Sequence, residues 1–283
     1  MQRRQCAIDR PTFEHKFDDQ HDKRAKAEAG EGPGNHRGRG RHERSAAFRR
    51  TIQHSEAAPM TPDEYDGWYR TPRGSWIGET EYRLLCELLA PRPGETLIDV
   101  GCGTGYFTRR FALAGSVATG VDQDAQMLEF ARANAAGAEP YLQADACRLP
   151  FRDGAFDLCI SVTALCFIQQ QSQALAEVLR VTRRRFAIGL LNRRSLLCLQ
   201  KGRHGGSGAY RGARWHTAAE AKALLAGTTA GNVRLKTAVF LPCGTASARL
   251  IEQGLPGQLP LGAFLVVAGD KLDQHSAPSM SPA

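Results

Sequence analysis

The run Leu97-Ile98-Asp99-Val100-Gly101-Cys102-Gly103-Thr104-Gly105 places three glycines where an apolar stretch gives way to a helical pattern. Glycine accepts positive φ and lets a ligand lie against the main chain, so this run predicts a loop approached by a nucleotide-like ligand. A dinucleotide fingerprint needs another glycine three residues after the second, beside a pyrophosphate. Tyr106 stands there instead. No Lys followed by Ser or Thr closes the loop, which excludes a P-loop. Asp99 adds a negative charge that suits a cationic ligand and opposes a pyrophosphate. Two more carboxylates end the next apolar stretches. Asp122, about 20 residues after the glycines, can accept both hydroxyls of a ribose. Asp145 can accept a hydrogen bond from an exocyclic amine such as that of adenine. Three carboxylates in this order suit a ligand with a ribose, an adenine and a positive charge.

Short apolar runs must deliver these residues. Strands are expected at Thr96 to Val100, Val117 to Val121, Tyr141 to Ala144, Phe156 to Val162, Phe186 to Leu191, Val233 to Leu241 and Ala263 to Ala268. Between them lie helical patterns. Glu79 to Leu89 has Leu84, Leu85, Leu88 and Leu89 on one stripe, and Pro91, Pro93 and Gly94 stop it. Phe107 and Phe111 mark a second helix, and Met127 and Phe130 a third, capped by Asp124. Thr217 to Glu220 reads as a capping box. The alternation predicts an α/β fold with a Rossmann-like doubly wound sheet, mostly parallel with an antiparallel last strand. Its ligands belong at the carboxyl ends of the strands.

The folded domain is expected over residues 60–270. Residues 1–59 hold 13 of the 37 Lys and Arg, 9 of the 29 Asp and Glu and five of the eight His, with few apolar side chains. Such a stretch buries too little to offset the entropy of ordering it, and reads as a disordered basic tail. Met60 at the junction is a candidate translation start, which would put residues 1–59 upstream of the native protein. Residues 271–283 read as a second disordered tail. The net charge of +8 is thus shared between tail and domain, and a solvated tail explains it better than a nucleic-acid face. No apolar run reaches the length of a membrane span. The eight cysteines have no two-residue spacing typical of zinc or redox motifs; free thiols in a reducing cytoplasm, and no metal site, are expected.

Leu97 to Gly105 resembles the first motif of class I S-adenosylmethionine-dependent methyltransferases. Gly120 to Leu128, reading GVDQDAQML, resembles the next motif of that family. Asp145 to Asp157, reading DACRLPFRDGAFD, is similar to the branch that includes ubiquinone and menaquinone biosynthesis methyltransferases. The resemblance covers roughly Tyr65 to Asp270 and implies S-adenosylmethionine as the cofactor. It implies that Gly101, Gly103 and Gly105, with Cys102 between them, line the methionine and ribose part. Asp99 would lie near the amino group, Asp122 on the ribose diol and Asp145 on the adenine amine. Gln123 and Ala146 would flank the adenine with Met127 nearby, and Thr163 would sit near the methionine carboxylate or the sulfonium.

The acceptor side is less determined. In the resembled family the segment before the first helix folds over the ligand, which makes Tyr65 and Tyr69 candidates for covering it. Many relatives have a His shortly after the fourth strand. This chain reads Thr163-Ala164-Leu165-Cys166-Phe167-Ile168, so Cys166 is a candidate pocket residue, with small apolar filler as the commoner role of such a cysteine. Asn192 follows the fifth strand on the expected acceptor side. His216 is the one candidate general base, against a structural role beside Trp215. The leading expectation is methyl transfer to a small-molecule acceptor by in-line displacement. The alternatives are transfer to RNA or protein through the basic linker Lys201 to Arg214, and a non-catalytic S-adenosylmethionine-binding protein.

Overall fold

The computed structural model describes residues 60–272, so the expectations for residues 1–59 and 273–283 lie outside the described residues. Two helices open the domain. Helix α1, Pro62–Arg70, begins with a reciprocal cap: the Glu64 N–H donates to Thr61 Oγ1 at 3.3 Å and the Thr61 N–H donates to Glu64 Oε2 at 2.9 Å. Helix α2 runs over Pro72–Leu89, seven residues earlier than its apolar stripe suggested. Thr71 accepts from the Gly74 N–H at 3.0 Å, and Pro72 fits the first helical turn, where no amide donor is needed.

The sheet has seven strands: β1 Thr96–Val100, β2 Val117–Asp122, β3 Tyr141–Gln143, β4 Phe156–Val162, β5 Thr182–Leu191, β6 Ala230–Ala238 and β7 Phe264–Lys271. Their order is β3-β2-β1-β4-β5-β7-β6. Strands β1 to β5 pair in parallel, and β7 runs against both β5 and β6. The last strand is therefore the reversed one, as expected. Between the strands lie α3 Tyr106–Leu113, α4 Ala125–Ala133, α5 Gln171–Val181, α6 Leu196–Lys201, α7 Ala218–Ala223 and α8 Ala246–Gly254. Leu97 and Ile98 on β1, Leu158 and Ile160 on β4, and Phe186 and Leu190 on β5 are fully buried. Central parallel strands covered on both faces read as near-continuous apolar runs for this reason.

Among the strands, β5, β6 and β7 depart furthest from the expected bounds. Strand β5 begins at Thr182 because Arg184 reaches Glu95 at 2.7 Å and Arg185 reaches Asp270 at 2.6 Å, while Arg183 pairs with Asp157. An arginine run that looks like a loop thus lies within the sheet. Strand β6 is shifted towards the N-terminus and ends at Ala238. The next residue, Val239, takes φ +64°, and the carboxylate of Glu252 on α8 accepts the Val239 and Phe240 N–H groups at 2.7 and 2.8 Å. Lys271, assigned above to the C-terminal tail, is the last residue of β7 and pairs with Ala230.

Candidate functional site

Strand β1 lies between β2 and β4, so its carboxyl end opens the crevice where the chain order reverses. The Gly101 and Cys102 N–H groups donate to Val121 O at 2.7 and 3.0 Å, folding the loop against the end of β2. Gly101 has φ +77°, and a Cβ there would stand 2.2 Å from the Cβ of Ala164. Only glycine fits. The Gly103 N–H donates to Asp122 Oδ2 at 2.8 Å, and the Asp124 N–H donates to Asp122 Oδ1 at 3.0 Å. The Asp122 carboxylate is thereby oriented before any ligand arrives. Asp124 also caps α4, accepting from the Gln126 N–H at 2.8 Å.

A cavity of about 500 Å³ follows this loop. Its wall includes Gly101, Gly103, Asp122 and Gln123, then Met127, Asp145, Ala146 and Thr163. Asp145 Oδ1 accepts from the Cys147 N–H at 2.8 Å. Three expected ligand residues stand off the wall. Gly105 caps α3, and its missing Cβ leaves room for the Tyr141 ring. Cys102 packs with Leu128, Ala131 and Tyr141. Asp99 is 1% exposed; its Oδ2 accepts from Thr108 Oγ1 at 2.8 Å, and its Oδ1 has no partner. Burial pushes the Asp99 carboxyl up to about 7 despite the Thr108 hydroxyl. An orphaned buried carboxylate oxygen two residues before a bare glycine turn suits a cationic group. An oriented Asp122 carboxylate suits a diol. The donor set therefore fits S-adenosylmethionine.

A second cavity, about 300 Å³, adjoins the first, and Tyr65, Val162, Thr163 and Phe167 line both. Thr163 is a β-branched residue at φ +59°, held by its N–H to Gly189 O at 2.8 Å. Strain of this kind concentrates at functional sites. Tyr65 and Tyr69 line the second cavity. Tyr69 stacks on Tyr106 with ring centres 3.7 Å apart. Thus the residue that argued against a dinucleotide also anchors α1 over the site.

Three candidates are corrected. Cys166 is buried and lines neither cavity; its Sγ accepts from the Leu191 N–H at 3.3 Å, so it is core filler. Asn192 is buried too, and its Nδ2 donates to Pro260 O and Gly262 O at 3.0 and 2.8 Å, leaving nothing for a ligand. His216 is 3% exposed and lines neither cavity. Its Nε2 lies 3.2 Å from Gln171 Oε1, an oxygen already accepting from Arg214, so Nε2 carries the proton and the ring is a structural tie. Burial holds its pKa below the usual histidine value.

Sequence reasoning missed Glu81 and Tyr210 on the second cavity. Glu81 had a readable signal, since a lone acid four residues after Ile77 and four before Leu85 interrupts the apolar stripe of α2. Tyr210 had none, because it reaches the cavity from a short turn, Gly208–Tyr210, in the glycine-rich linker. Among the described residues, no three His, Cys, Asp or Glu side chains group as metal ligands, and no helix is long and apolar enough to cross a membrane.

Residues 98–185 match the methyltransferase domain family. Malonyl-[acyl-carrier protein] O-methyltransferase of Pectobacterium atrosepticum is 38% identical over 107 residues, 38% of this chain and 42% of that protein. The chain thus spans less than half the length of this curated relative. A S-adenosylmethionine-dependent methyltransferase structure from Thermotoga maritima superposes with a TM-score of 0.58 at 23% identity, covering 74% of this chain and 95% of that one. Magnesium protoporphyrin IX methyltransferase from Synechocystis, solved with bound S-adenosylhomocysteine, gives 0.53 at 17% identity, covering 74% and 93%. At such identities the two structures speak for the fold. The glycine loop and the ordered carboxylates lie within the segment that is similar to the methyltransferase domain family.

Proposed function

We propose that the protein transfers a methyl group from S-adenosylmethionine to a small-molecule acceptor bound in the second cavity. The observation that supports this most is the meeting of two cavities at Tyr65, Val162, Thr163 and Phe167. One cavity has the carboxylates and bare backbone that suit the donor. The other is walled mainly by apolar and aromatic side chains. When bound, S-adenosylmethionine supplies a methyl group already activated by its sulfonium.

The chain's own task is to bind, orient and exclude water. Asp122 would hold the ribose diol and Asp145 the adenine amine, with Gln123, Met127 and Ala146 about the adenine ring. Gly101 and Gly103 would present bare backbone to the methionine part, over the buried carboxyl of Asp99. Tyr65, on α1, would close the junction against water. The relatives named for malonyl-[acyl-carrier protein] match only about a third of this chain. The family segment also excludes α1, α2 and the linker that wall the second cavity. The acceptor is therefore read from this chain's own residues.

Calorimetry with S-adenosylhomocysteine tests the donor site. Wild type binds, and Asp122→Ala loses at least about tenfold in affinity. No binding by the wild type, or undiminished binding by the variant, overturns the assignment.

A further inference from the structure

Glu81 is an acid in an apolar wall. It stands one turn after Ile77 on α2, is half-buried, and lines the second cavity. Its carboxyl makes no hydrogen bond or ion pair among the described residues. The groups that feel its charge are four tyrosines: Tyr65 and Tyr69 from α1, Tyr106 from α3 and Tyr210 from the linker. Two bases share the cavity wall, Arg73 on α2 and Lys201 on α6, and both are exposed. The Arg73 Nε–H donates to Pro242 O at 2.6 Å, and neither base pairs with Glu81. Burial therefore acts on Glu81 uncompensated and pushes its carboxyl up to about 8.

An acid that lacks a partner in a cavity is satisfied by whatever enters. A carboxylate ligand would bring a second negative charge beside it. A hydrocarbon would leave it unpaired and further desolvated, at a cost. A protonated amine supplies both a hydrogen-bond donor and a counter-charge. The aromatic residues on the same wall, Tyr65, Trp68, Tyr69, Phe167 and Tyr210, offer ring faces that attract an ammonium group.

We propose that the second cavity accepts an organic amine and that Glu81 is its anchor and proton acceptor. The ammonium group first donates a proton to the Glu81 carboxylate, giving a neutral acid and a neutral amine. The nitrogen lone pair then forms the new N–C bond as the methyl–sulfur bond breaks, and that bond's electron pair stays on sulfur. The product is a methylated ammonium ion. This assignment rests on the methyltransferase reading of the paired cavities.

The test uses three probes with one skeleton: 2-phenylethylamine, 2-phenylethanol and 3-phenylpropanoate. Each is titrated into full-length wild type and Glu81→Gln at pH 8.5, with S-adenosylhomocysteine present. S-Adenosylhomocysteine affinity is measured first in both proteins. Unchanged affinity shows that the variant is folded and the donor site intact, whereas no binding by the wild type would defeat the methyltransferase reading itself. In the wild type the amine is expected to bind at least about tenfold more tightly than the other two probes. Glu81→Gln is expected to abolish that preference while the alcohol shifts less than about threefold. Tightest binding by the carboxylate, an amine preference that survives Glu81→Gln, or no binding by any probe overturns the proposal.

Discussion

The Asp66 carboxylate on α1 meets the Arg109 guanidinium on α3 at 2.6 Å, although the two residues are 43 apart in the chain. Arg109 also donates to the carbonyl of Thr104 in the glycine loop, so one guanidinium joins the helix over the site to the loop beneath it. Both side chains are largely buried, at 10% and 14% exposure. This places the pair where loss of one partner leaves an uncompensated charge.

Asp66→Ala is therefore expected to destabilise the protein by about 3 kcal/mol, seen as a lower urea midpoint. It should also weaken S-adenosylhomocysteine binding, because Tyr65 on the same helix lines both cavities. The stack of Tyr69 on Tyr106 remains to hold α1, so unfolding should stay cooperative. A midpoint shift worth less than about 0.5 kcal/mol would show that the pair does not secure α1.

The buried Asp99 predicts a pH dependence of the ligand-free protein. Its carboxyl lies at about 7 in the folded chain against an ordinary value of 3.8. Between these values the folded state holds a proton that the unfolded state has released. The stability from Asp99 is thus fully present below about pH 4, declines as pH rises to about 7, and is gone above it, a change on the order of 4 kcal/mol. Glu81 adds a trend of the same sign up to about pH 8. Asp157, Glu177 and Asp270, whose carboxyls sit below their ordinary values, act in the opposite sense at more acidic pH. Urea unfolding from pH 5 to 8 should show a falling stability whose slope is markedly smaller in Asp99→Asn. Equal slopes in the two proteins would refute the assignment to Asp99.

His216 predicts a separation of stability from ligand binding. Its ring ties the β5 end to Gln171 on α5 and lines neither cavity. His216→Ala should lower the unfolding free energy by about 1–3 kcal/mol, through the stranded Gln171 and Arg214 partners, with S-adenosylhomocysteine affinity unchanged. Unaltered stability would return His216 to the list of candidate bases.

Much of this protein is local in origin. The glycine turn, the alternation of short apolar runs with helical stripes, and the acids at the strand ends are short-range signals, and they determined the fold class and much of the lining of the first cavity. The caps at Thr71, Asp124 and Thr217 are equally local, because a side-chain oxygen satisfies an amide two or three residues on. Tertiary structure decided what those signals cannot encode. Arg183 to Arg185 enter a strand because acids from β4, β7 and the turn before β1 neutralise them, and β6 stops at Ala238 because Glu252 takes the next two amides. Asn192, Cys166 and His216 had the composition of a pocket, but packing buried all three away from both cavities. Glu81, inconspicuous among helix residues, was left facing a cavity. Which polar groups are spent on the fold and which remain for a ligand depends on partners far along the chain, and only their assembly in space settles it.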